Sequence, residues 1–191
     1  MPKPRNQWGW SLARQPLPDG SYTTGDRVID PVEAAIVRRI FTEYSRVLSA
    51  RSIAIGLNRD SIPALPSGGK GSGSWSFSII SGNWKRGTGI LNNELYVGKL
   101  VWNRQRFVKV PDTGKRQARM NPASDWITEE VQHLRIIDDA LWTRVKQRQG
   151  AIWDDILAER AEDPSAPKIE RGHRPRYLLS GLLTCGCCGA G

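Results

Sequence analysis

The central stretch of the chain runs from residue 75 to residue 106 and reads WSFSIISGNWKRGTGILNNELYVGKLVWNRQR. It begins as a short, serine-capped helix, passes through a glycine-rich basic loop at residues 82–89, and makes a second helical turn at residues 90–92. It then leaves as a strand that carries Arg104 and Arg106. Polar side chains that can contact base edges thus lie beside cations that can contact phosphates, which is typical of duplex DNA readers. The alternative is a solvated basic face on an ordinary globular domain.

The charge of the chain is distributed unevenly. The sequence has 28 Lys+Arg and 19 Asp+Glu, a net charge of +9. Residues 1–120 contain 19 of the basic and 8 of the acidic side chains, a net +11, whereas residues 121–191 contain 9 and 11, a net −2. A basic front half favours a polyanionic partner on one side of the molecule.

No membrane or export signal is found in the sequence. There is no apolar run of the roughly eighteen residues that a membrane span needs, and no signal peptide opens the chain. All three cysteines fall in the last seven residues, which argues against a disulfide framework. We therefore expect a cytoplasmic, nucleoid-associated protein that does not bind a membrane.

Two amphipathic helices are predicted before the central stretch. Asp30 stands at an N-cap position, Pro31 at the first helical position and Glu33 three residues after the cap, so both ends of a capping box are present. Ser49 caps a second helix that runs to about Arg59. A third helix follows after a long loop rich in Pro, Gly and Ser, which predicts a variant of the helix-turn-helix with an extended connection.

The second half of the chain is predicted to mix strands with one long helix. A strand runs from Tyr96 to Val110, the sequence Pro-Asp-Thr-Gly at 111–114 is a strong turn signal, and another strand covers residues 126–131. A long helix begins near Asp138. The predicted fold class is therefore α+β: a helical bundle with a variant helix-turn-helix, joined to a small antiparallel β hairpin or sheet and a long C-terminal helix.

Cys185 and Cys188 have the C-x-x-C spacing of a zinc knuckle, in which two thiolates occupy adjacent corners of a tetrahedron. A second pair of ligands is not found in the sequence, because the remaining candidates are one further cysteine beside the pair and the histidines His133 and His173. The pair is either half of a site cut off by the end of the sequence or a coincidence. We expect no stoichiometric zinc in this fragment.

Several motifs, taken in order, resemble one family. They are the D-P-V-E-A cap at residue 30, S-x-R-S-I-A-x-x-L-N-x-x-x-I-P at 49–63, W-S-x-S at 75–78, I-L-N-N-x-x-Y-x-G at 90–98, and Y-L-L-S-G-L-L-x-C-x-x-C-G at 177–189. The chain resembles large serine recombinases of the resolvase/invertase superfamily, in the DNA-binding region that follows their catalytic domain. The segment 81–89 departs from the resemblance, since family members commonly run straight from W-S-x-S into I-L.

The resemblance implies a division into four parts: an extended arm and loop at 1–29, a recombinase-type DNA-binding domain at 30–162, a linker at 163–176, and a truncated start of a zinc ribbon at 177–191. It also implies a full-length enzyme that binds zinc, exchanges DNA strands through a phosphoserine link and assembles as a dimer or tetramer on double-stranded DNA at a recombination attachment site. The fragment itself is expected to bind DNA in a sequence-specific manner and to catalyse no reaction. A stand-alone helix-turn-helix transcriptional regulator and a protein-interaction module remain the alternatives.

The order of the parts predicts which side chains contact DNA. We expect the segment 76–92 to enter the major groove, with base-edge contacts from three polar side chains, Ser78, Asn83 and Asn92. Four cations are expected to contact phosphates: Lys85, Arg86, Arg104 and Arg106. Arg5, in an extended basic arm, is expected to reach the adjacent minor groove, as the arms of homeodomains do.

Overall fold

The structure is a computed structural model that describes residues 8–13, 16–23, 26–64, 73–111 and 113–162. Its elements in chain order are β1 (Trp10–Leu12), β2 (Arg27–Ile29), α1 (Pro31–Ser45), α2 (Ala50–Arg59), α3 (Phe77–Ser81), β3 (Lys99–Trp102), β4 (Gln105–Lys109), β5 (Arg116–Met120), β6 (Ile127–Glu130) and α4 (Asp139–Glu162). Single turns of 3-10 helix lie at Trp84–Arg86, Ile90–Asn92, Glu94–Val97, Ala123–Asp125 and Gln132–Leu134. The mixture of helices with small antiparallel sheets confirms the α+β prediction at this level.

The first three helices begin at the residues that the sequence predicts, because each cap is a local interaction. Asp30 accepts hydrogen bonds from the backbone N–H groups of residues 32 and 33. Ser49 accepts from the N–H of Ser52 at 3.0 Å, and Ser76 accepts from the N–H of Ile79 at 3.4 Å. The third helix, however, has only five residues, so it spans about 7 Å.

The core lies between the helices and the 3-10 turns that follow them. Its largest fully buried side chains are Tyr96, Phe41, Ile40, Ile53, Leu57, Ile80, Leu91 and Leu95. Burial raises the pKa of Tyr96, and its hydroxyl donates to the carbonyl of Trp8 at 3.0 Å. The ring of Phe41 makes an edge contact with Tyr96 and stacks on Trp142 of α4. Trp75 is also buried in this core.

Residues 8–10 pack against the core and are not part of a free extended arm, while residues 1–7 of the predicted arm lie outside the described residues. Trp8 and Trp10 are both buried, and the indole N–H of Trp10 donates to the carbonyl of Leu134 at 3.0 Å. The N–H of Gly9 donates to the carboxylate of Glu33, so the segment is fastened to the first turn of α1. Both tryptophans are therefore core residues, as their large apolar surface favours.

The strands of the described residues form three separate two-stranded sheets, β1–β2, β3–β6 and β4–β5, all antiparallel. The single strand predicted from Tyr96 to Val110 is therefore two strands, β3 and β4, in different sheets. Asn103, between them, has a positive φ of 60° and turns the chain. Tyr96 and Val97 lie in a 3-10 turn before β3. Strand β6, at residues 127–130, confirms the last predicted strand.

The long helix α4 begins where expected. Asp138 accepts from the N–H of Leu141 at 2.7 Å, which is the role of a cap. Arg148 donates to the carbonyls of Val47 and Leu48 at 2.8 Å each and to that of Tyr44, and so satisfies the C-terminal end of α1. The chain divides into two units, Met1–Arg148 and Gln149–Gly191, and the second is described only through residue 162. The described helices include none with the length and the apolar character of a membrane span.

Candidate nucleic-acid interface

The basic loop predicted at residues 82–89 is an ordered turn, which we call the Trp84 loop (Gly82–Gly89). Asn83 and Thr88 pair through two backbone hydrogen bonds of 3.1 Å each, and the amide oxygen of Asn83 accepts from the N–H of Arg86. Between the paired residues, Trp84, Lys85 and Arg86 form one exposed 3-10 turn. The side chain of Asn83 therefore stabilises the loop through this hydrogen bond and is also exposed to solvent.

The base of the Trp84 loop needs glycine. Gly82 and Gly89 have φ of 54° and 85°, and a Cβ on Gly82 would lie 1.9 Å from the carbonyl oxygen of Thr88. Such a contact with backbone cannot be relieved by a rotamer change. The two ends of the loop therefore pass each other at a distance that only glycine permits.

Asn92, which the sequence predicts as a base contact, is buried. Its side chain is 3% exposed, and its amide nitrogen donates to the carbonyls of Ser81 at 2.7 Å and Thr88 at 2.8 Å, one at each end of the Trp84 loop. Its amide oxygen accepts from the ammonium of Lys146 at 2.9 Å. A buried amide with these partners cannot also reach a base edge, so Asn92 is a clamp on the loop.

Lys146 of α4 holds the side chain of Asn92 in place through the hydrogen bond to its amide oxygen. Its ammonium also donates to the carbonyl of Leu91 at 2.8 Å and lies 4.5 Å from the centre of the Trp142 ring. Burial lowers the pKa of Lys146 to about 8, while the nearby carboxylate of Glu94 opposes the shift and Arg104 adds to it.

The lowered pKa of Lys146 predicts how stability depends on pH. Between the folded pKa of about 8 and the unfolded value of 10.5, the unfolded chain retains a proton that the folded chain has released. The contribution of Lys146 to the free energy of unfolding therefore rises with pH across this window. We expect denaturant titrations to show this rise for the wild type and not for Lys146→Met. Parallel pH profiles for the two proteins would contradict it.

Arg104, a predicted phosphate contact, makes its described contacts within the protein. Its side chain is 15% exposed, its guanidinium forms a 2.7 Å ion pair with Glu94, and it lies 5.0 Å from the centre of the Trp126 ring. Gly87 of the Trp84 loop lies directly over it, since a Cβ there would be 1.6 Å from the guanidinium. Arg104 is therefore a support between the loop and the sheet, and its charge is largely used within the protein.

A second exposed basic element is the hairpin formed by β4, β5 and the turn between them, which we call the basic ribbon. Its residues 105–120 include five cations, Arg106, Lys109, Lys115, Arg116 and Arg119, and one acid, Asp112. All five cations are exposed. In the part of the chain that the structure describes, no carboxylate forms an ion pair with any of them.

The strand register places cations of the ribbon directly opposite each other. Arg106 faces Arg119 and Lys109 faces Arg116 across the two strands. Because residues two apart share a face and neighbours alternate, the two pairs lie on opposite faces. Like charges in directly opposed positions destabilise a hairpin. The ribbon also exposes two apolar side chains, Phe107 at 63% and Val108 at 43%.

Asparagines hold the root of the ribbon. The buried Asn121 donates from its amide to the carbonyl of Asn103 at 2.8 Å, and its backbone N–H donates to the carbonyl of Arg104. Asn103 donates in turn to the carbonyl of Asp125 at 3.0 Å. The direction in which the ribbon leaves the β3–β6 sheet is thereby fixed by hydrogen bonds to backbone.

The other predicted site residues divide into exposed and undescribed ones. Ser78 is exposed on α3, with its hydroxyl 2.9 Å from that of Ser76. Lys85, Arg86 and Arg106 are exposed, and their contact with phosphates stays a prediction. Arg5, Cys185 and Cys188 lie outside the described residues. Among the described residues, no three His, Cys, Asp or Glu side chains are grouped as metal ligands would be.

These observations define an α+β domain with a clamped basic loop and a cationic ribbon. A family model described as Recombinase matches residues 31–150, which is 120 of the 191 residues and includes both elements. The chain therefore belongs to the Recombinase family, and the resemblance seen in the sequence is confirmed. No curated protein and no solved structure matches the chain significantly.

Proposed function

We propose that this chain binds duplex DNA in a sequence-specific manner and thereby positions a site-specific recombinase at its recombination site. Family membership supports a role in recombination, whose substrate is DNA. The observation that carries the binding proposal is the basic ribbon, in which the register sets Arg106 against Arg119 and Lys109 against Arg116. An arrangement that destabilises the isolated hairpin is explained if phosphates neutralise these charges in the complex.

The dimensions of the ribbon suit the major groove. Strands of five residues are about 17 Å long, and the major groove, about 12 Å wide, admits a two-stranded ribbon. Cations on both faces would then meet phosphates on both walls of the groove. Gln105, Gln117 and Phe107 are exposed between the cations and supply the polar and apolar groups that base edges require.

Ser78, Asn83, Lys85 and Arg86 form a second exposed set on α3 and the Trp84 loop. A helix of five residues is short for a recognition helix, so the helix-turn-helix interpretation depends on the loop as well. A minor-groove contact by Arg5 and zinc ligation by Cys185 and Cys188 in the full-length protein remain part of the proposal. Family membership does not favour a stand-alone transcriptional regulator.

We also propose that the chain alone cleaves no DNA, with the phosphoserine chemistry supplied by a catalytic domain of the full-length recombinase. The dimeric or tetrameric assembly on DNA belongs to that full-length protein as well. Incubation with plasmid that carries the selected site should give no strand break and no protein–DNA adduct on a denaturing gel. A covalent adduct would contradict this part of the proposal.

Binding to a randomised duplex library tests the proposed function. We expect the wild-type chain to select a defined motif and to bind it with an association constant that falls steeply with salt. If all five ribbon cations contact phosphates, they alone contribute roughly 4 to 5 to the slope of log K against log salt. Fluorescence anisotropy at a series of salt concentrations measures this slope. A failure to bind any duplex at low salt would refute the proposal, and would leave a protein partner as the explanation of the basic face.

A further inference from the structure

The Trp84 loop carries an exposed aromatic side chain. The indole of Trp84 is 56% exposed, although tryptophan has the largest apolar surface to bury. The next two residues are Lys85 and Arg86, both exposed, and the ammonium of Lys85 lies 5.7 Å from the centre of the Trp84 ring. An exposed indole is thus presented together with two cations at the tip of one loop.

This loop is held in shape before any partner binds. Asn83 and Thr88 pair across it, and Asn92 donates to the carbonyls at both of its ends. Below it, Arg104 lies against Gly87, and Lys146 supports Asn92. A partner would therefore meet a tip whose backbone is already ordered, which lowers the entropic cost of binding. Gly82, Gly87, Gly89 and the buried amide of Asn92 thus hold the backbone of an exposed loop in one conformation.

The composition of the tip indicates its partner. An indole with adjacent cations fits a surface on which flat apolar groups alternate with anions. Duplex DNA offers this pattern, since deoxyribose and base edges lie between phosphates. A protein partner would instead need acids on either side of an apolar pocket, whereas membership of the Recombinase family makes DNA the expected partner.

We propose that the Trp84 loop is a second DNA contact, in which Trp84 packs on deoxyribose and base edges while Lys85 and Arg86 contact the flanking phosphates. This inference rests on the proposed function and adds a non-ionic contact to it. The two kinds of contact differ in a measurable way. Removing a phosphate contact flattens the salt dependence of binding, whereas removing an apolar contact lowers the affinity equally at every salt concentration.

The test uses the full chain, the duplex recovered by selection with the wild type, and anisotropy over a series of salt concentrations. For Trp84→Ala we expect the affinity to fall by roughly 10-fold with the slope of log K against log salt unchanged. Trp84→Phe should recover most of the affinity. Lys85→Ala together with Arg86→Ala should flatten the slope by up to about 2.

Trp102→Ala is the matched control, because Trp102 is 67% exposed on β3 and is not part of the loop. It should bind as the wild type does. Equal affinity of Trp84→Ala and wild type would overturn the inference, and so would an equal loss in Trp102→Ala. Either result leaves the proposed function standing as long as the wild type binds. A wild type that binds no duplex would refute the proposed function and this inference together.

Discussion

Replacing Arg106 and Lys109 together by glutamate is expected to lower the affinity for the selected duplex by on the order of 100-fold at physiological salt. The change removes one member of each like-charged pair on the basic ribbon and places a carboxylate opposite Arg119 and Arg116. Four cations thereby become unavailable to the phosphates, two by replacement and two by pairing. The salt dependence of binding should flatten by about 0.9 for each phosphate that the ribbon no longer neutralises.

The same double variant should be at least as stable as the wild type. Two repulsive cross-strand pairs become attractive ones, each of which contributes about 0.2–1 kcal/mol. Arg51→Glu with Arg144→Glu is the control: both residues are exposed on helices, and the net charge changes by the same −4. Thermal unfolding measures the stability and anisotropy the affinity. An equal loss of affinity in the control would show that overall charge, and not the ribbon, attracts the DNA.

Asn92→Ala is expected to reduce the free energy of unfolding by about 2–4 kcal/mol. The variant lacks the two hydrogen bonds to the carbonyls of Ser81 and Thr88 and leaves the ammonium of Lys146 without its amide acceptor. A buried group that loses its partner costs more than the hydrogen bond itself contributes. In a chain of this size the melting temperature should fall by roughly 5–10 °C.

The adjacent Asn93 is the control for Asn92. It is half-buried and makes one cap contact, to the N–H of Leu95 at 3.1 Å, so Asn93→Ala should cost only about 1 kcal/mol. Denaturant titration measures both variants, and binding selection measures the base preference of each. If Asn92→Ala kept full stability and changed the selected motif, Asn92 would be a base reader after all and the clamp would be wrong.

The parts of the fold that the sequence predicts are those set by neighbouring residues. The caps at Asp30, Ser49 and Ser76 each bind an N–H two or three residues away, so their patterns can be recognised without the rest of the chain. The turn at 111–114 likewise predicts a hairpin. Because the turn sets the strand register, the position of Arg106 opposite Arg119 can be predicted from the sequence. The sequence alone does not identify Lys109, Lys115, Arg116 and Arg119 as site residues.

Asn92 and Arg104 show why the rest could not be predicted. An exposed-looking amide or guanidinium becomes structural only through a partner that the fold supplies, and the partner of Asn92 is 54 residues away at Lys146. Arg104 likewise depends on Glu94 and on Trp126. One signal was present for Asn92: it lies among residues 90–97, most of which are apolar and buried. The charge or polarity of a residue alone does not show whether its side chain is bound within the protein or is exposed for contact with a partner.

The side chain of Asn92 contacts the Trp84 loop only at backbone atoms. Asn92 donates to two carbonyl oxygens, and Asn83 and Thr88 pair through backbone atoms. None of these contacts depends on which side chains stand at positions 84, 85 and 86. The three positions are therefore suited to randomisation: a library in which they vary while the glycines and Asn92 are kept should yield many folded members, and selection among them offers a route to chains with new target preferences.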